Sequence, residues 1–471
     1  MTTPQASSDQ DAWPPQSSAA AEMIGSWMAR QRWYANKGAL PLLEEIGSFS
    51  LAADGAGVEI VTHLYIDHTV GKPALYQVPI TRRTARLPSQ EGGLIGEVDG
   101  LFYYDGPHDP AFTAVLLTLV TGELEVSGDS TWVLGRRATG EPMSPVPLSS
   151  RVLTGEQSNT SIIYEAVGPT AVPVILKLYR AIHDGENPDV ELQTALAAAG
   201  SDAVPRPIGH VLAEWNDRGQ GSGRARGHLA FAQEFLPGAE DAWRVALSAA
   251  GHGVDFSTAA HALGVATAGV HATLAATLPT QVATPDDIAA VVRGMHGRLA
   301  SAIAEAPELA SHTAAIEAVF SAAASAAWPA QQRIHGDLHL GQVLAVPGRG
   351  WVLVDFEGEP LRPMSERSRP DSPMRDVAAM LRSFDYVAGS ITMSGHDGAT
   401  ASEWAARARQ AFERGYGEAS GHDLAQSRAL VDAFEIDKAL YETVYEARNR
   451  PSWLRIPVEA IERLAARDPA A

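Results

Sequence analysis

Residues 332–360 read QRIHGDLHLGQVLAVPGRGWVLVDFEGEP. The stretch holds a polar loop with His335, Gly336, Asp337, His339 and Gln342, followed by the apolar run WVLVDF that ends at Asp355. Phosphoryl transfer needs one carboxylate to orient the attacking hydroxyl and accept its proton, and a second, just past a buried strand, to hold magnesium against nucleotide phosphates. Asp337 and Asp355 fit those two places. Gln342 offers a neutral oxygen for a second metal contact, because magnesium takes hard oxygen ligands. His335 reads as a brace for the loop. Taken singly, HGD and DFEG also describe two polar turns flanking a core strand. Their spacing, behind an upstream β lobe with its own lysine, favours phosphoryl transfer.

That lysine is Lys177, at the end of the apolar strand in TAVPVILKLYRAI, residues 170–182. Its point charge suits nucleotide phosphates, although a lysine capping an apolar strand is often only a solvated edge charge. A downstream carboxylate partner decides between the two. Glu191, in the helical segment PDVELQTAL, is the first choice, with Glu186 a nearby rival. Before the lysine strand, residues 149–167 give two strand-like segments around the polar turn TGEQSNTS at 154–161. Ser158, Asn159 and Thr160 in that turn are candidates to cover the phosphates through backbone N–H groups and hydroxyls. With a single glycine, Gly155, the turn serves equally as an ordinary hairpin connection. The strand HLAFAQEFLPG at 228–238 is either simply buried or the linker whose backbone meets adenine at Gln233, Glu234, Phe235 and Leu236.

Working outward, residues 1–20 are rich in Ser, Gln, Pro and Ala and read as disordered. MIGSWMARQRWYANKG from Met23 looks like a short amphipathic helix and turn, and VEIVTHLYI and ALYQVPI alternate like strands. Residues 21–145 are expected to form an N-terminal α+β cap and intermediate unit, with a Pro/Ser break at 141–150. Residues 146–238 read as a nucleotide-binding β lobe. Residues 239–471 are Ala-rich and helical, apart from one short strand pair near 342–355. The expected fold class is α+β: a bilobal protein-kinase-like fold with an antiparallel N-terminal lobe and a mostly helical C-terminal lobe.

The chain has 471 residues, no cysteine and fifteen histidines without paired spacing, which excludes disulfides and thiolate metal sites. A formal net charge of −20 argues against binding a phosphate backbone, so nucleic acid is not an expected partner. The N-terminus lacks a signal-peptide pattern and no stretch reads as long enough to span a bilayer, so a soluble, unprocessed cytoplasmic protein without a membrane partner is expected.

At HGDLHLGQ and DFEGEP the sequence resembles the aminoglycoside phosphotransferase-like kinases. QRWYANKG, RPDSPMRDVAAMLRSFDY and DKALYETVYEARNRPSWLRIPVEAI narrow the resemblance to the maltokinases of actinobacteria. It runs over most of the chain. It implies transfer of the ATP γ-phosphate to the anomeric hydroxyl of maltose, ATP and Mg2+ as cofactors, and a small cap attached to the nucleotide lobe. The product, maltose 1-phosphate, would feed α-glucan and glycogen-type synthesis, whose other enzymes are candidate partners. The resemblance makes Asp337 the catalytic base and Asp355 a magnesium ligand. Gln342 stands where the wider superfamily usually has asparagine, and Glu357 replaces the glycine of the common DFG, which places Glu357 beside the metal.

Lys438, Tyr441, Glu442, Tyr445 and Arg448 lie within a few turns of one helical segment and mix aromatic faces with polar groups, as a sugar site requires. Together with Asp337 and His339 they are the expected acceptor contacts, unless the tyrosines serve only to pack a terminal amphipathic helix. Arg375 and Asp376 read as a structural start to the next helix. Three other readings stay open: a kinase for glucosamine or an aminoglycoside, whose amines call for an acidic pocket; a non-catalytic kinase-like binding protein; and a metal-dependent hydrolase, for which too few ligands cluster.

Overall fold

The computed structural model describes residues 13, 16–53, 57–69, 73–88, 91–138, 149–153, 158–165, 172–217, 223–359 and 362–467. Most of the N-terminal stretch expected to be disordered therefore lies outside the described residues. The chain divides into two compact units, Met1–Asn187 with Pro207–Phe235, and Pro188–Arg206 with Leu236–Ala471.

The first unit opens with α1 (Ser18–Met28), capped by the Ser17 hydroxyl, which accepts from Ala20 N–H. Strands β1 (Leu43–Leu51), β2 (Val58–Asp67), β3 (Ala74–Arg83), β4 (Leu94–Val98) and β5 (Leu101–Asp105) form an antiparallel sheet in the order β1-β2-β3-β5-β4. Ile24, Trp27, Met28, Tyr34, Tyr76 and Val78 close a core between α1 and this sheet. After α2 (Pro110–Thr121), strands β6 (Glu125–Ser127), β7 (Thr131–Arg137), β8 (Ser150–Val152), β9 (Asn159–Tyr164), β10 (Val174–Tyr179), β11 (Pro207–Asn216) and β12 (Arg224–Glu234) make a second antiparallel sheet. Its order is β6-β7-β11-β12-β10-β9-β8. The boundary expected at 141–150 falls largely outside the described residues, and strands on both sides of it share this sheet. In β10 a two-residue alternation runs to Leu178: Val174, Leu176 and Leu178 are buried, while Ile175 and Lys177 are half-buried on the other face, and Tyr179 ends the strand buried.

The second unit is helical around a small sheet. It comprises α3 (Pro188–Ala198), α4 (Ala242–Gly251), α5 (Ser257–Thr277), α6 (Pro285–Glu305), α7 (Thr313–Ser325), the single turn α8 (Met364–Arg367), α9 (Met374–Met393), α10 (Gly398–Ser420), α11 (Arg428–Asn449) and α12 (Arg455–Ala465). Strands β13 (Glu240–Asp241), β14 (Val343–Val346) and β15 (Gly350–Leu353) pair in that order. The Ala-rich composition has a packing consequence, because small side chains let helix backbones approach closely. A Cβ on Gly264 of α5 would lie 2.2 Å from Phe412 O, and one on Gly415 of α10 would lie 2.1 Å from His261 O. Helix α5 corrects one expectation from sequence: it is long and apolar enough to cross a bilayer by length and composition. Eight of its residues are buried in the core of this unit, among them Leu263, Ala268, Val270 and Leu274.

Candidate active site

The HGD loop is held by a buried carboxylate. Asp376, in the first turn of α9, accepts from His335 N–H at 2.8 Å and Gly336 N–H at 2.9 Å, and its Oδ2 lies 3.1 Å from His271 Nε2. Burial would raise its pKa, but the imidazoles of His271 and His335 and the backbone N–H outweigh burial and keep it below the ordinary carboxylate value. His335 also reaches Val354 O through Nε2 at 2.9 Å, which links the loop to the strand leading to Asp355. Asp376 thus braces the loop that presents Asp337, a role visible only once α9 is packed.

Asp355 adopts a left-handed backbone, φ 66°, just past β15. A non-glycine residue held there carries strain of roughly 1–3 kcal/mol, a cost tolerated where the surroundings enforce it. One oxygen each of Asp355, Glu357 and Asp189 lie within 4.8 Å of one another. This donor set of hard oxygens fits a magnesium ion, which takes one or two carboxylates and fills its remaining positions with water and phosphate. Asp189, at the start of α3, is the member that sequence reading missed. Its Oδ1 accepts from Phe356 N–H at 2.7 Å and from Gln193 Nε2 at 2.6 Å, so it is fixed against the DFEG backbone. Gln342 donates through its amide nitrogen to Asp355 Oδ2 at 2.9 Å, because an ionised carboxylate only accepts, and its amide oxygen is the atom left to meet a metal.

A cavity of about 240 Å³ opens beside the HGD loop. One wall is a stripe of α11, Phe434, Asp437, Lys438 and Tyr441, spaced i, i+3, i+4, i+7. Lys438 Nζ lies 2.9 Å from Asp337 Oδ1 and 2.6 Å from Glu359 Oε1. Burial opposes the charge on Lys438, but Asp337 and Glu359 outweigh it and push the ammonium pKa up. Burial likewise opposes ionisation of Glu359, yet Lys438, Arg362 and Arg375 hold it at about 2. The network continues from Arg362 to Glu359 at 3.1 Å and Asp371 at 3.4 Å, from Arg375 to Asp371 at 2.8 Å and Asp437 at 3.3 Å, and from Arg298 to Asp437 at 2.8 Å. Four cations, Arg298, Arg362, Arg375 and Lys438, therefore meet four carboxylates, Asp337, Glu359, Asp371 and Asp437. Burial raises the Tyr441 phenol pKa to about 12, so at neutral pH its hydroxyl keeps its proton.

Several expected acceptor contacts lie elsewhere. Glu442 turns to α9, where Arg382 Nη2 donates to it at 2.7 Å. Arg448 pairs with Glu305 of α6 at 2.6 Å, with 64% of its side chain exposed. Tyr445 is exposed, with the Arg450 guanidinium 5.6 Å over its ring. His339 spends Nδ1 on Gly341 N–H at 3.0 Å and so caps a 3-10 turn. Tyr445 and Arg448 share that stripe by spacing, but they stand about one and two turns further along α11, past Tyr441 where the lining ends.

Among the nucleotide candidates, Lys177 is mid-strand, not at a strand end, paired across to Ser161 of β9 and Phe231 of β12. Asn159 and Thr160 open β9, and the Thr160 Oγ1 accepts from Arg180 Nε at 2.8 Å in the interior. Ser158 is exposed, and the turn before it, 154–157 with Gly155, lies outside the described residues. Gln233 and Glu234 end β12; Phe235 N–H donates to Pro173 O at 2.8 Å, and Leu236 follows. Glu191, the expected partner of Lys177, ion-pairs with Arg333, two residues before His335. The rival Glu186 is largely exposed, 3.5 Å from His228 Nε2.

Comparison with known proteins follows this geometry. A model described as the maltokinase N-terminal cap domain matches residues 27–109, and one for the phosphotransferase enzyme family matches residues 151–430. A glucosamine kinase of Streptacidiphilus jiangxiensis is 29% identical over 367 residues, 73% of this chain and 79% of the relative. The glucosamine kinase of Mycolicibacterium smegmatis (strain ATCC 700084 / mc(2)155) is 28% identical over 328 residues, 67% of this chain and 79% of that protein. A solved glucosamine kinase in complex with glucosamine, ADP and inorganic phosphate superposes with TM-score 0.64 at 23% identity, covering 88% of this chain and 95% of that one. A second crystal form gives TM-score 0.65 at 23% identity, covering 89% and 94%. These likenesses confirm an antiparallel-sheet N-terminal lobe, a helical C-terminal region and an N-terminal cap domain.

Proposed function

The chain belongs to the phosphotransferase enzyme family, and from that premise we propose that it transfers the γ-phosphoryl group of ATP to the anomeric hydroxyl of maltose. Asp337 orients the acceptor hydroxyl and takes its proton while the oxygen attacks phosphorus. Lys438 fixes Asp337 Oδ1 and is itself fixed by Glu359, so the carboxylate meets the substrate already oriented. Asp355, Glu357 and Asp189 would hold magnesium, which when bound neutralises charge on the β- and γ-phosphates. Lys177 is assigned to the phosphates, and residues 158–160 and 233–236 to the rest of the nucleotide. Maltose 1-phosphate then enters α-glucan synthesis in the cytoplasm, with other enzymes of that route as candidate partners.

The observation that carries the choice of acceptor is the balanced ion network around the cavity. Each of Asp337, Glu359, Asp371 and Asp437 already faces a cation, which leaves no carboxylate in that network to pair with a substrate ammonium. An uncharged, hydroxyl-rich acceptor suits this wall, with the half-buried Tyr441 ring at its edge. A second reading, glucosamine as acceptor, is favoured by the names of the 28–29% identical relatives. The test is ATP-dependent phosphorylation of maltose, glucose and glucosamine at equal concentration, with products read by phosphorus NMR. An anomeric phosphate on maltose at the highest kcat/KM supports the proposal. Preference for glucosamine replaces it with the second reading.

A further inference from the structure

Arg367, at the end of α8, differs from the buried arginines of the ion networks in its unit. Its Nε donates to Arg362 O at 3.0 Å and its Nη1 to Glu357 O at 3.1 Å, both carbonyls belonging to the loop that carries Asp355, Glu357 and Glu359. The side-chain stem lies over Gly358, where a Cβ would be 3.3 Å from Arg367 Cδ. On its other side Gly358 touches the HGD loop: a Cβ on Gly336 would be 3.3 Å from Gly358 Cα. Arg367 is thereby stacked on the contact between the loop presenting the base and the loop presenting the metal ligands.

Its charge is not spent on an ion pair. Among the described residues no carboxylate oxygen lies within 4 Å of its guanidinium, whereas Arg298, Arg333, Arg362, Arg375, Arg382 and Arg409 each have one. Burial lowers its pKa, and the field it feels comes from Glu357, Asp355 and Asp337, three of the four carboxylates of the proposed chemistry. A guanidinium stays protonated in proteins even when its pKa falls, so it remains a fixed cation. Two nitrogens are anchored to backbone, which fixes the plane and leaves both Nη2 protons, with the second on Nη1, to donate.

We infer that Arg367 is a catalytic residue whose Nη2 contacts the phosphoryl group in transfer. This rests on the phosphoryl-transfer reading above. In the step, the bond between the γ-phosphorus and the β-γ bridging oxygen breaks, with its electron pair leaving on the β-phosphate. The bond from acceptor oxygen to phosphorus forms, and the hydroxyl proton passes to Asp337. Negative charge spreads over the equatorial oxygens, where a preorganised cation with no carboxylate in direct contact acts most strongly. Backbone anchoring avoids the neutralisation that an ion pair would impose on the same arginine.

The test compares wild type, Arg367→Ala and Arg367→Lys. For Arg367→Ala, kcat falls about a hundred- to thousand-fold, the loss seen when one transition-state donor is removed, while KM for ATP and sugar changes less than about threefold. Millimolar guanidinium, but not urea, restores part of the kcat of Arg367→Ala. Thermal melting supplies an acceptor-independent readout: ADP with magnesium stabilises all three proteins alike, and the further shift from aluminium fluoride, a mimic of the phosphoryl group in flight, is lost in Arg367→Ala. An aluminium fluoride shift equal to wild type overturns the inference, as does a kcat loss without guanidinium rescue. Failure of wild type to phosphorylate maltose or glucosamine, with the aluminium fluoride difference intact, overturns the acceptor reading and leaves Arg367 assigned.

Discussion

Lys438 Nζ stands 2.9 Å from Asp337 Oδ1, so a cation delivered by α11 is bound to the carboxylate proposed as base. The same nitrogen holds Glu359 at 2.6 Å, and all three side chains are at least four-fifths buried. Removing one partner of a buried pair leaves the other charge uncompensated, at a cost of several kcal/mol.

Lys438→Met is therefore expected to lower kcat/KM at least about a hundredfold and stability by roughly 3 kcal/mol. Steady-state kinetics and urea unfolding check it. Glu359→Gln in the same background should add little further loss, because the two residues act as one unit.

The acceptor wall separates two residues that sequence alone groups together. Tyr441 lines the cavity, whereas Arg448 points away to Glu305. Tyr441→Ala is expected to raise the sugar KM about tenfold, the loss of one well-placed contact, and Arg448→Ala to leave it within about twofold. Sugar titrations at saturating ATP read both.

Much of the site was legible in residues 332–360 because one motif encodes a loop, a strand and two carboxylates at fixed spacing. The sheet order was open to inference only as far as alternation goes. Nothing in the composition break at 141–150 tells that β7 crosses it to pair with β11. Asp189 was hidden for a different reason. An acidic residue in a first helical turn has an ordinary explanation in the helix dipole, and only the bond to Phe356 N–H reveals its other use. Arg298, Arg362, Arg375 and Asp437 are scattered over four segments and meet through tertiary packing. A helix start, the role the sequence suggests for Arg375 and Asp376, describes their place on α9 and misses what they hold.

Acid stability offers a test away from the acceptor wall. Asp385 lies 2.6 Å from Arg382, 2.6 Å from Arg463 and 3.4 Å from Arg409. Burial raises its pKa, but Arg409, Arg382 and Arg463 outweigh burial and hold it at about 2. A carboxylate depressed in the folded state contributes stability above its unfolded pKa of about 4 and loses it as pH falls through the folded value. Wild type should then lose roughly 2 kcal/mol more than Asp385→Asn between pH 5 and pH 2. Urea unfolding of both proteins across that range shows whether the two curves converge at low pH.

The contact of α5 with α10 sets a steric limit. A Cβ on Gly415 would stand 2.1 Å from His261 O, so Gly415→Ala has to push the helices apart. The expected cost is about 1–3 kcal/mol, read as a lower melting temperature. Gly417→Ala, where the nearest atom is 3.3 Å away, should cost less.

The central claim is that this chain moves a phosphoryl group to a sugar hydroxyl with Asp337 as base. The most direct measurement is a single-turnover reaction of γ-labelled ATP with maltose and magnesium, comparing wild type with Asp337→Asn, which keeps the side-chain shape and removes the charge. Labelled sugar phosphate from wild type, with Asp337→Asn slowed at least about a thousandfold while ATP binding is retained, is the predicted result. Equal rates in the two proteins, or consumption of ATP with no labelled sugar, would contradict it.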